Sequence, residues 1–203
     1  MPRGSYLVDG RPEAFSCAPG PAGWRYVSAG LDLVCDSTFR PVRFAVSDGP
    51  AAPGGAWVRG GGLRLDDGVG VLEWTTAAAP DVVRRAAVSG VLTPSVGSLV
   101  ALLRQVAGVG GDPASALVDV VVVGGPALAV LTARRVVTRV AAEAHDAPQG
   151  PLLAETWHVD DPDTGRRRVV HLAGDVVLAA EGGEEPAVEL AALESPPWQP
   201  PPR

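Results

Sequence analysis

The chain reads as a mainly β domain wrapped around one short α-helix, and three observations predict it. Apolar residues alternate with period two over most of the length, the signature of half-buried strands. The 25 Gly and 20 Pro, spread along 203 residues, imply many turns and few long helices. Only one segment, opened by Thr93-Pro94-Ser95, carries both a helical apolar stripe and helix boundary signals.

In chain order, Gly10 to Cys17 and Gly23 to Ala29 predict a first hairpin across Ala18-Pro19-Gly20-Pro21. Leu31 to Val46 reads as a long extended stretch. Its apolar set sits at Leu31, Leu33, Cys35 and Phe39, then moves to Val42, Phe44 and Val46, so a bulge or bend is expected near Arg40-Pro41. After a Pro/Gly loop at 48–55, strands are expected at Trp57-Val58-Arg59, at Leu63-Arg64-Leu65 and from Val69 to Thr75. Asp66-Asp67-Gly68 is the turn between the last two. Val82 to Val91 leans to strand.

The helix is expected over about 93–107. Thr93 can cap it, Pro94 suits a first position where its missing N–H costs nothing, and Gly108 suits the exit. Val96, Leu99, Val100, Leu103, Val106 and Ala107 form its buried stripe, with Arg104 and Gln105 on the other side. Strands then resume as Leu117 to Val123 and Pro126 to Ala133 around Gly124-Gly125, followed by Arg135 to Ala142, Leu152 to Asp160, Arg167 to Ala173 and Asp175 to Ala180. Residues 1–181 are read as one domain. Residues 182–203, acidic and then Pro-rich, are read as a flexible tail on which Trp198 docks back.

Composition narrows the function classes. All 17 basic residues are Arg, a bias expected of GC-rich coding in a high-GC bacterium. A formal net charge of −6 argues against nucleic acid, whose affinity depends on neutralising phosphates. No run of eighteen apolar residues occurs and Met1 to Ser5 has no apolar leader core, so the expectation is a cytoplasmic chain, monomer or homodimer, without a transmembrane segment. Cys17 and Cys35 read as packed thiols. No cofactor motif and no hydrolase elbow are found.

Aromatic usage is skewed, with five Trp against three Phe and two Tyr. Trp24, Trp57, Trp74 and Trp157 each fall in an expected strand. They either fill the core or line an apolar cavity, offering an N–H to a polar head. Arg25, Arg40, Arg43, Arg59 and Arg64 lie near them in sequence and suit either a solvated face or a cavity mouth. His158 and His171 lie on the arms of a hairpin closed by Asp161 to Gly165. If 158 pairs with 169 they share a face, and with Asp160 they would make a minimal metal or acid–base set. A rival reading makes the chain an interaction or self-associating module through an exposed edge such as Leu117 to Val123.

The order of parts also resembles a bacterial glycolipid-binding family of spiral β-roll proteins. The residues that carry the resemblance are Asp36-Ser37-Thr38-Phe39-Arg40, Trp57 with Gly60-Gly61-Gly62, and Thr93-Pro94-Ser95-Val96-Gly97-Ser98-Leu99 leading to Arg104. Phe39 stands where the family usually has Trp, and the Thr-Pro segment lacks the family's following Phe and Asn. The resemblance implies an antiparallel spiral β-roll or incomplete barrel around the helix. It also implies a lipid or glycolipid ligand. Together with the skew toward Trp and the nearby Arg residues, that makes Trp24, Arg40, Trp57, Arg59, Trp74, Thr93, Arg104 and Trp157 the candidate ligand residues, in a binding module to which no catalytic or metal-ligating residue is assigned.

Overall fold

The computed structural model describes residues 2–20, 23–47, 55–64, 70–109, 114–125, 127–147, 150–183, 185–195 and 197. Among them the expected architecture is found: one helix and fifteen strands in a single sheet that does not close into a barrel. The Asp66-Asp67-Gly68 turn and the docking of Trp198 lie outside the described residues.

Strands β1 (Arg3–Val8) to β8 (Ala79–Ala87) pair with their neighbours in chain order, all antiparallel. Strands β10 (Ser115–Gly124) to β15 (Val188–Leu193) form a second antiparallel meander. Its last strand pairs with β1, from Gly4↔Leu193 to Val8↔Val188, joining the two meanders into one sheet. Three-residue β9 (Gly90–Leu92) pairs in parallel with Val120–Val122. A parallel pair needs a crossover, and helix α1 (Val96–Val109) supplies it.

The expected first hairpin is found, as Arg11–Gly20 paired with Gly23–Ser28, but the expected flexible tail needs correction and a strand precedes the hairpin. Residues 188–193 form β15, because Val188 and Leu190 alternate with Glu189 and Ala191 and turn Val188 into the core. Arg3–Val8, unassigned from sequence, forms β1 and buries Tyr6 completely. The change of phase near Arg40-Pro41 is a hairpin turn followed at once by the expected irregularity: Val34 faces Arg43 and Cys35 faces Pro41, which leaves Val42 as an extra residue. β4 (Leu31–Asp36) and β5 (Pro41–Ser47) pair with Leu31 opposite Val46. Asp36 organises the turn: its Oδ1 accepts from Thr38 N at 2.8 Å and Arg40 N at 3.0 Å, and Phe39 takes a φ of 61°.

The helix starts at Val96, two residues after Pro94, because Thr93 and Ser98 build its entry from side chains. Thr93 Oγ1 accepts from Ser95 N at 3.2 Å, and Ser98 Oγ donates to Ser95 O at 2.9 Å. The expected stripe is buried except for the partly buried Ala107, but so are Leu102 and Gln105, and Arg104 is largely covered with them. A helix covered on every side is the plug of the roll. Gly97 lets it dock: a Cβ there would stand 2.2 Å from the Tyr26 ring.

The two sheet edges differ sharply. Gly90, Val91 and Leu92 of β9 are all buried, as are Val120, Val121 and Val123 beside them. Nearly every residue of β8 is exposed or half-exposed, with Val82 and Val83 open to solvent.

Candidate functional site

The eight residues singled out from sequence do not converge on one ligand site. Trp24, Arg104 and Trp157 join a buried polar cluster at the end of the roll where α1 finishes. Asp175 is 1% exposed there, and its Oδ2 accepts from Trp24 Nε1 and Cys17 Sγ, each at 3.3 Å. Arg104 Nε donates to Gly174 O at 2.7 Å and its Nη1 to Glu155 at 2.5 Å. Arg139 reaches the same carboxylate at 3.1 Å and stands 5.9 Å from the ring centre of Trp157.

Two guanidinium groups and two carboxylates thus neutralise one another in the interior, which is how buried charge is tolerated. Burial pushes the Cys17 and Cys35 thiols well above their ordinary range, next to Asp175 and Asp36 respectively, so both are neutral, and both are unbridged.

The other five lie apart. Arg40 is exposed in the β4–β5 turn. Trp57 and Arg59, on β6 (Trp57–Arg64), stack against each other on the outer face with the guanidinium 4.9 Å from the ring centre. Trp74 is buried in β7 (Gly70–Thr76), its Nε1 without an acceptor. Thr93 is buried and committed to the helix entry.

For the histidines, His158 pairs with Val169 and Thr156 with His171, the register expected from sequence. Both rings lie half-buried on the outer face. His171 Nδ1 meets Thr156 Oγ1 at 3.2 Å, and Asp160 is held by Arg167 at 2.6 Å. Neither His lines either cavity described below, and among the described residues no three His, Cys, Asp or Glu side chains gather in a metal-holding group.

Sequence reasoning passed over the cavity at the opposite end, beside the start of α1. It holds about 310 Å³. Leu92, Leu99, Val122, Leu131 and Val159 supply its aliphatic lining. Arg135, Arg166 and Arg168 line it too, with Asp161, Asp163 and Glu185, three charges of each sign.

The rim is built from strand ends and turns. Arg135 meets Asp161 at 3.1 Å and Arg168 meets Glu185 at 3.3 Å. Asp161 Oδ1 also accepts from Asp163 N at 2.9 Å, tying the turn after β12 (Gly150–Asp160). Arg168 is 4% exposed; burial depresses its basicity, Glu185 opposes that, and its Nε has no acceptor. A readable signal existed. Arg168 shares the inward parity of Val170 and Leu172, and Glu155 that of Trp157 and Val159, which places charge where alternation demands apolar groups.

A second concavity of about 520 Å³ adjoins the first at Thr132, Ala133 and Asp163. Ala86, Ala87 and Val88 bound it, together with Asp119 and Arg134. No helix among the described residues is long and apolar enough to cross a membrane.

Compared with known proteins, the chain matches no family model, no curated protein and no solved structure.

Proposed function

We propose that this chain is a binding module that takes the apolar chain of a lipid-like ligand into the cavity beside the start of α1, with its polar head at the charged rim. The observation that carries this reading is the mixed lining of that cavity. Five aliphatic side chains, Leu92, Leu99, Val122, Leu131 and Val159, share its wall with three guanidinium and three carboxylate groups. Ligand sites combine apolar wall with polar groups that orient the ligand, in volumes from roughly 300 Å³ upward.

The charge balance of the rim favours a head that hydrogen-bonds without carrying net charge. That agrees with what the resemblance to the glycolipid-binding family implies, although the residues differ from those the resemblance points to. An enzyme built on His158 and His171 is the weaker reading, since both rings stand on the outer face beside a carboxylate already paired.

Mass spectrometry of an organic extract of the purified protein tests the proposal, alongside calorimetric titration with a short alkyl glycoside below its micelle concentration. A Leu131→Trp variant should lose binding about tenfold while keeping its melting temperature, because Leu131 lines the cavity yet is 53% exposed. An empty extract and no heat of binding would sink the reading.

A further inference from the structure

We infer that the groove beside the cavity is a second subsite, and that the ligand class is an N-acylated peptide whose backbone pairs with the free edge of β8. This rests on the reading of the adjoining cavity as the place of an apolar chain. An unpaired strand edge offers a row of N–H and C=O groups, and proteins ordinarily blunt such edges with proline, charge or bulges. The β8 edge is blunted over only half its length. Between Trp74↔Arg84 and Thr76↔Ala79, residues Pro80 to Val83 stand opposite the single residue Thr75, a wide bulge containing a proline.

From Arg84 to Ala87 the register is regular, and there β8 has no second strand neighbour among the described residues. This is the half that reaches the groove, through Ala86 and Ala87, whose small side chains let another backbone approach. Main-chain pairing along such an edge is a standard mode of peptide capture. The groove sets Asp119 and Asp163 against one guanidinium, Arg134, so a basic side chain on the peptide complements it. The groove meets the cavity at Thr132, Ala133 and Asp163, so one molecule reaches both: acyl chain against the aliphatic lining, peptide along the edge.

Calorimetric titration of the full chain with octanoyl-Val-Lys-Val-amide, its backbone N-methylated analogue, octanoic acid and octyl glucoside tests this. The acylated peptide should bind at least about tenfold tighter than the other three, and replacing its Lys by Glu should remove most of that advantage. If N-methylation leaves affinity unchanged, no backbone pairing exists and the inference falls. If octyl glucoside or octanoic acid binds as tightly as the peptide, the inference also falls, while the apolar-chain reading stands. If none of the four binds, both fall together.

Discussion

At the scale of single residues, the interior charges carry the sharpest expectations. Glu155 is 3% exposed and is the shared acceptor of Arg104 and Arg139. Glu155→Ala leaves two guanidinium groups without that acceptor, one of them, Arg104, largely buried, and should cost about 3–5 kcal/mol in urea unfolding. The Arg104→Met, Glu155→Leu double variant should recover part of that loss, because it removes the more buried guanidinium with its carboxylate while Arg139 stays without that acceptor. Asp36 gives a pH dependence with a definite sign. Burial raises its carboxyl, but donors from Thr38 and Arg40 outweigh that and hold it below the ordinary range. The folded value is therefore the lower one, so the turn's contribution is complete above the unfolded value and fades as pH falls through the folded one. Asp36→Ala should cost about 1–2 kcal/mol at neutral pH. Urea midpoints of variant and parent should converge below the ordinary carboxylate range.

At the scale of elements, the helix decides how the roll is filled. Gly97 is the point of closest approach, with the Tyr26 ring where a Cβ would go. Alanine is the better helix former by about 1 kcal/mol, yet the clash should win and Gly97→Ala should destabilise by about 1–3 kcal/mol. A Gly97→Ala, Tyr26→Leu double variant should regain stability relative to Gly97→Ala alone in thermal melts.

This helix was legible because its signals are local: Thr93-Pro94, then apolar residues at helical spacing. The His158↔Val169 register was legible too, since a short turn at Asp161–Gly165 fixes which residues face each other. Burial of Arg104 was not, because its partners, Gly174 in a turn and Glu155 in a strand, lie more than fifty residues away. Nor was the separation of Trp57 and Arg59 from the interior. Strand alternation gives two faces, and only the placement of Val58 inside puts its neighbours outside.

At the scale of the whole molecule, the sheet depends on its last strand. β15 joins the two meanders by pairing with β1 and with β14 (Val176–Gly182), and it turns Val188 into the core. A truncation ending at residue 186 should therefore expose two long strand edges and yield aggregated protein, whereas a mere tail would be removed without effect. Light scattering of the refolded truncation checks this. Composition foretold a β architecture but not this closure. Val188-Glu-Leu-Ala-Ala-Leu193 is short, and it follows an acidic, Gly- and Pro-marked stretch that reads as the end of order.

The pairing of first strand with last has a consequence for how the protein presents itself. Arg3 O accepts from Glu194 N at 2.8 Å, so the chain enters and leaves the fold side by side. Five residues along the first strand and six along the last, at Val8 and Val188, the two strands reach the end from which the chain leads back to Gly183 and Glu185 of the cavity. At about 3.3 Å per residue, some 20 Å of strand separates the two ends. Anything joined to the fold at Arg3 or Glu194 is therefore held about one strand length from the cavity, and the two points of attachment lie next to each other.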